Sequence, residues 1–260
     1  MERHLALALN EEVSILLFLR RYAESEPLIE RALRLSRRSG DVRNEGVLLS
    51  NRAYLLSALG RPGAFETYAL ALRCVEEAGA ETQIAAITNC IAAHDFMAGR
   101  YDAARRSLER ALTIRRHNGD LRAVAGIVSD LADVALMQGA TERARALYAE
   151  ALDLAARFER WPTLRFAFTG LAALAAQAGE GRDAARLLGA ARLDEPGIDA
   201  ASIAQVSERA RNAAEQLLGE DAFDREMSSG RELSRRAAVA LGRTVLERLS
   251  RLSATASGTT

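Results

Sequence analysis

Small residues return about every forty positions along most of this chain. Gly60, Gly99, Gly139 and Gly179 are separated by 39, 40 and 40 residues, and Ala64, Ala104, Ala144 and Ala184 keep 40 throughout. Tyr68, Leu108, Tyr148 and Leu188 hold the same register, as do Ala71, Ala111, Ala151 and Ala191. A period of this length marks a stacked repeat, in which each unit buries its apolar face only against its neighbours.

Each unit reads as two helices. Before the glycine runs an apolar segment with a small residue (Ala53, Ala92, Ala132, Ala172) where a neighbouring helix can approach; we call it helix A. After the glycine, Ala104, Leu108, Ala111 and Leu112 lie three and four positions apart, which places them on one face of a helix B. The glycine lets the chain turn in a left-handed conformation without a Cβ clash. Stacked hairpins of this kind predict an all-α, right-handed helical solenoid of about five pairs over residues 1–193, with units near 5–40, 46–78, 84–118, 123–158 and 163–193. The residues expected to pack the repeat are Gly60, Ala64, Gly99, Tyr101, Ala104, Ala111, Gly139, Ala144, Ala151, Gly179, Ala184 and Ala191. The first unit departs from the pattern, with Arg20 at the glycine position and Ser25 at the first alanine.

Beyond Asp194 the period stops at a breaker, Glu195-Pro196-Gly197. A helical cap is expected over residues 194–252: a helix from Ala200 to Leu218, a short one from Glu220 to Met227, a turn at Gly230, and a helix from Ser234 to about Leu252. The small polar residues Ser253 to Thr260 are expected to be a disordered tail.

Gly99, Tyr101, Ala104, Leu108 and Ala111 resemble the Gly, Tyr, Ala, large aromatic and Ala positions of a tetratricopeptide repeat. That repeat usually spans about 34 residues, whereas HEAT and armadillo units run to about 40–47; the Gly-x-Tyr and Ala columns favour the former. The resemblance implies a non-catalytic protein-interaction or ligand-sensing scaffold. Further stretches, Ala185-Arg186-Leu187-Leu188-Gly189-Ala190-Ala191, Leu218-Gly219-Glu220-Asp221-Ala222-Phe223 and Gly230-Arg231-Glu232-Leu233-Ser234, resemble the C-terminal end of actinobacterial regulators of the LuxR and SARP type. In those proteins a DNA-binding domain and a STAND-type ATPase precede the repeat array. The likeness implies an effector-sensing module of a signalling or transcriptional regulator, with a neighbouring ATPase or DNA-binding domain as partner. Arg235 and Arg236 stand where such tails commonly carry acidic residues.

Candidates for chemistry are few. All 35 basic residues are Arg and none is Lys, which excludes Schiff-base chemistry and a lysine phosphate loop. His4, His94 and His117 fall in separate elements, no Gly-x-Ser-x-Gly elbow occurs, and Cys90 reads as a small buried side chain. We therefore expect no enzyme activity, no cofactor and no metal. Cys74 and Cys90 lack metal-ligand spacing, and the apolar run Leu5 to Leu19 is broken by Asn10, Glu11, Glu12 and Ser14. Together these features point to a cytoplasmic protein that does not enter membranes.

The repeat also predicts where a partner sits. Ten residues before each glycine lie Ser50, Asn89, Ser129 and Thr169; next to them come Asn51, Cys90, Asp130 and Gly170, and four residues on come Tyr54, Ala93, Asp133 and Ala173. The proposed groove comprises Ser50, Asn51, Tyr54, Asn89, Ala93, Ser129, Asp130, Asp133 and Thr169. With Asp130 and Asp133 on it, a basic or apolar peptide is expected there rather than an acidic tail. The alternative is a freestanding adaptor that binds a peptide or, through arginine-rich faces such as Arg105, Arg106 and Arg110, nucleic acid. Equal numbers of basic and acidic residues, 35 each, argue against the nucleic-acid form. From Arg225 to the end, seven Arg face three Glu, the best remaining ground for an anionic partner. The first helix is apolar around much of its circumference; Leu9, Val13, Leu16 and Phe18 are expected to pack against a preceding domain or a second copy.

Overall fold

The computed structural model describes residues 1–193 and 200–257. The Glu195-Pro196-Gly197 breaker and residues 258–260 lie outside the described residues. Thirteen helices and no strand occur among the described residues, giving an all-α, tetratricopeptide-like solenoid fold. The chain divides into two compact units, residues 1–118 and 119–260.

The first unit contains α1 (Glu2–Phe18), α2 (Tyr22–Ser39), α3 (Val42–Ala58), α4 (Ala64–Glu77), α5 (Glu81–Met97) and α6 (Tyr101–His117). Each odd-numbered helix packs on the next, and α1, α3 and α5 also touch in succession. Leu9, Val13, Leu17, Ile29, Leu33, Leu48, Leu49 and Leu55 form one buried cluster. The spacing of Ala6, Leu9, Val13, Leu16 and Leu17 gives α1 a single inward stripe. Of the residues expected at an N-terminal interface, Leu9, Val13 and Leu16 are therefore core, 6%, 0% and 7% exposed; only Phe18 faces outward, at 74%. The outer apolar face instead comprises Leu5, Leu7, Ile15, Phe18 and Leu19.

The glycine column works by closing helices. At Gly60 (φ 64°) its N–H bonds to Ser57 O, and the Arg61 N–H reaches back to Leu56 O. The same pair of bonds closes α5 at Gly99 and, in the second unit, recurs at Gly139 and Gly179. The sequence reading missed a parallel column at the ends of the B helices, where Gly40, Gly79, Gly119 and Glu159 all take positive φ. Arg20 (φ 57°) and Glu159 (φ 52°) hold a left-handed conformation without being glycine. Replacing Glu159 by glycine relieves the Cβ clash and should raise the urea midpoint by the equivalent of roughly 0.5–1 kcal/mol; a lowered midpoint would refute this. Ser25, in place of alanine, is fully buried and satisfies its hydroxyl by donating to Tyr22 O at 2.9 Å.

The second unit contains α7 (Leu121–Met137), α8 (Thr141–Arg157), α9 (Trp161–Gln177), α10 (Gly181–Ala191), α11 (Ala200–Leu218), α12 (Glu220–Arg231) and α13 (Arg235–Ser257). Ala144, Ala151, Ala184 and Ala191 are fully buried, like Ala104 and Ala111 in the first unit, which permits close helix approach. Gly230 is not a turn: α12 runs through it to Arg231. A Cβ there would lie 2.1 Å from Arg186 O, and one on Gly189 would lie 2.0 Å from Met227 O, so α10 and α12 cross backbone to backbone. Arg186 Nε then reaches Glu226 Oε2 at 2.6 Å, and Arg192 donates to Arg231 O and Leu233 O. Residues 185–191 and 230–234 thus lie on the two sides of this crossing. Helix α13 carries on to Ser257, across the first residues expected to be a disordered tail.

Candidate functional site

In the first unit the face built by α3 and α5 is polar and half open. Asn51, Tyr54 and Asn89 are half-buried and Ala93 is exposed, while Ser50 is 9% exposed. Asn51 is tied down: its Nδ2 donates to Asn10 Oδ1 at 2.9 Å, and Asn10 donates to Asn44 Oδ1, so a carboxamide chain fastens α1 to α3. Asn44 in turn donates to Ser36 Oγ at 2.8 Å inside the unit. Asn89 differs, because its Oδ1 is enclosed without a hydrogen-bond partner while the residue as a whole stays half open. A buried acceptor without a donor costs on the order of 1–3 kcal/mol.

Beside this face, His94 packs on Phe65 and Tyr68, with ring centroids 6.2 and 6.3 Å away, and Arg100 lies 5.8 Å over Phe65. Asp95, its sequence neighbour, is 3% exposed and accepts from Arg100 Nε at 2.8 Å. His4 and His117 are exposed on α1 and α6, so the three histidines do not converge. Burial raises the Tyr68 phenol, and the neighbouring Cys90 and Tyr54 add to the effect. Cys74 and Cys90 are free thiols. Burial also raises the Cys74 thiol. Among the described residues no three His, Cys, Asp or Glu side chains gather to hold a metal. None of the described helices is long and apolar enough to cross a membrane.

In the second unit the equivalent positions are interior, which corrects the groove assignment. Ser129 and Thr169 are fully buried and Asp133 is 8% exposed; only Asp130 is half open. The cause lies in two packings. Helix α11 lies on α9, the helix that carries Thr169, whose hydroxyl turns back to donate to Arg165 O at 2.9 Å. Tyr148 of α8 meanwhile reaches between α7 and α9, donating to Asp133 Oδ1 at 2.5 Å. Gly170 makes room for that ring, since a Cβ there would lie 2.0 Å from Tyr148 Cζ. Burial raises the Asp133 carboxyl to about 8, against the lowering effect of the Tyr148 bond, and nearby Asp130 adds to the rise. Burial likewise lifts the Tyr148 phenol well above its ordinary value. Asp133 is therefore a protonated core group near neutrality and repels no acidic partner.

Several arginines of the arginine-rich helix faces are paired with carboxylates. Arg105 pairs with Glu109, Arg110 with Glu76 at 2.5 Å, Arg37 with Glu45 at 2.7 Å and Arg38 with Glu2 at 3.8 Å.

Comparison with known proteins agrees with the fold. Residues 83–157 match the family model described as a tetratricopeptide repeat. The crystal structure of BtubC (BKLC) from P. vanneervenii superposes with a TM-score of 0.57 over 94% of this chain and 93% of that one, at 21% identity. No curated protein matches the chain.

Proposed function

We propose that the chain is a protein-interaction scaffold that takes an extended peptide segment across α3 and α5 of its first unit. The observation that carries this reading is the orphaned Asn89 Oδ1 on the half-open polar face of α3 and α5, to which half-buried Tyr54 and exposed Ala93 also belong. A turn of the Asn89 carboxamide toward a peptide N–H gives the buried acceptor its missing donor, so binding recovers a cost carried in the free state. Tyr54 offers an amphipathic surface for an apolar side chain of the peptide. Tetratricopeptide repeats generally mediate contacts between proteins, and the match over residues 83–157 includes most of α5 and Asn89.

The residue types on this face suit an internal peptide rather than a free carboxylate end, because no arginine is among them. Selection of peptides from a random displayed library on the full chain tests the reading. Enriched peptides should lose about tenfold in affinity on Asn89→Leu, while the melting curve of the variant is raised rather than lowered, because the orphaned acceptor is gone. Failure to enrich any peptide, or equal binding by the variant, would sink it.

A narrower reading is that the chain forms the effector-sensing end of a signalling or transcriptional regulator in the cytoplasm, supported by the tail resemblance through Gly189 and Gly230. Its partner is then an ATPase or DNA-binding domain, or a second copy meeting the exposed Leu5, Ile15 and Phe18 of α1. Light scattering across concentration tests the second copy. Binding of nucleic acid through helix faces is disfavoured by the ion pairs that occupy Arg105, Arg110 and Arg37.

A further inference from the structure

A second concavity lies wholly inside the second unit, where the α8–α9 junction meets the first turns of α13. It has a volume of about 470 Å³, within the size range of small-molecule sites. Its walls are apolar, with Leu164 and the Trp161 ring on one side and Val239 and Ala240 on the other. Around them stand three guanidinium groups, Arg235, Arg236 and Arg243, against one carboxylate, Glu159.

The arginines are held unequally. Arg235 lies with its Cζ 4.9 Å from the Trp161 ring centroid, and Trp161 itself packs edge-on to Phe168 at 6.1 Å. Stacking fixes the plane of a guanidinium without engaging the N–H groups on its rim. Arg243 shares Asp153, its Nη2 2.9 Å from Oδ1. Arg236 is exposed and has no ion pair among the described residues. Helix α13 opens with these two arginines and no acidic residue in its first turn, so like charges crowd the positive end of the helix dipole. That arrangement is unfavourable in the empty molecule and is relieved by an anion. Glu159 adds a second anomaly: it keeps a side chain at the rim where Gly40, Gly79 and Gly119 stand in the other helix pairs, at φ 52°.

We propose that this cavity binds a small organic anion, with its carboxylate or phosphate among Arg235, Arg236 and Arg243 and its apolar body against Trp161, Leu164 and Val239. The guanidinium forks match either anionic group. The apolar walls call for a body larger than a bare inorganic ion, and a half-open cavity of about 470 Å³ suits a small molecule. Glu159 selects ligands that carry a hydrogen-bond donor away from the anionic end. This inference stands apart from the peptide face, which lies in the first unit.

Trp161 is the sole tryptophan of the chain and so reports directly on occupancy. Emission of the full chain is titrated with 3-phenylpropionate, phenyl phosphate, inorganic phosphate and the neutral 3-phenylpropanol. A saturable change with 3-phenylpropionate alone, phenyl phosphate alone or both identifies the anionic group. Inorganic phosphate should act weakly and the alcohol not at all. Arg236→Ala and Arg235→Ala should each weaken binding about tenfold, and the melting curve of Arg236→Ala should not fall, because that side chain holds no ion pair and its removal thins the like charge at the helix end. No saturable response to either aromatic anion at millimolar concentration, an equal response to the alcohol, or undiminished binding by Arg236→Ala would each overturn the proposal.

Discussion

Alanine at Gly230 will destabilise the protein by about 3 kcal/mol, although the same change in an open helix interior is stabilising by about 0.5–1 kcal/mol. The sign is set by what the new methyl meets. It would lie 2.1 Å from Arg186 O and 2.8 Å from Arg186 C, atoms of a helical backbone that cannot rotate aside. Helix α12 must therefore lift from α10, weakening the Arg186–Glu226 pair and the Arg192 bonds to Arg231 O and Leu233 O. Gly126, inside α7 with nothing within 4 Å of its missing Cβ, supplies the control. Urea unfolding should show Gly126→Ala shifted to higher and Gly230→Ala to lower denaturant. Gly189→Ala should match the loss, and the double variant should lose less than the sum because the crossing opens only once. A Gly230→Ala protein as stable as the parent would show that the two backbones do not meet.

The second large effect is one of pH. Asp133 is held near 8 in the folded state and has an ordinary value of 3.8. Between these values the folded chain binds a proton there that the unfolded chain has released, so stability from this site is fully present in acid and falls as pH rises. The slope approaches about 1.4 kcal/mol per pH unit for a single group. Asp133→Asn removes the titration while keeping an oxygen to accept from Tyr148. We expect the variant to gain on the parent steadily from about pH 4 to pH 8 and to be a few kcal/mol more stable at the upper end. Glu24, lowered chiefly by its hydrogen bond from Arg21, works in the opposite sense but is exposed, and it cancels in the comparison. Parent and variant curves that run parallel would mean that Asp133 is ionised in the core.

The repeat was legible because its two chemical demands fall on fixed residue types. Left-handed helix closure selects glycine at 60, 99, 139 and 179, and close helix approach selects alanine at 64, 104, 144 and 184; neither demand depends on distant sequence. Gly230 was misread because glycine serves both purposes, and only its partner Gly189, 41 residues earlier, distinguishes a crossing from a turn. In α1 apolar residues ring the helix, so the pattern could not say which of Leu9, Phe18 or Ile15 would be covered. Counting back from the glycines finds equivalent positions in register but not their exposure. Asn89 stays half open while Thr169 is sealed under α11, a helix that lies outside the repeat. Asp133 looked like a surface charge because its partner Tyr148 sits on a different helix. The cationic cavity was beyond reach for the same reason, since Trp161 and Arg235 are 74 positions apart.

The left-handed closures at Gly99, Gly139 and Gly179, each followed two residues on by the next helix, give the polypeptide interchangeable seams. Since the backbone leaves each seam with the same hydrogen bonds and torsion, a span cut at one and rejoined at the next restarts in phase. Length in such a chain can change by whole modules, through slippage or recombination at the coding level, without new joints having to be invented.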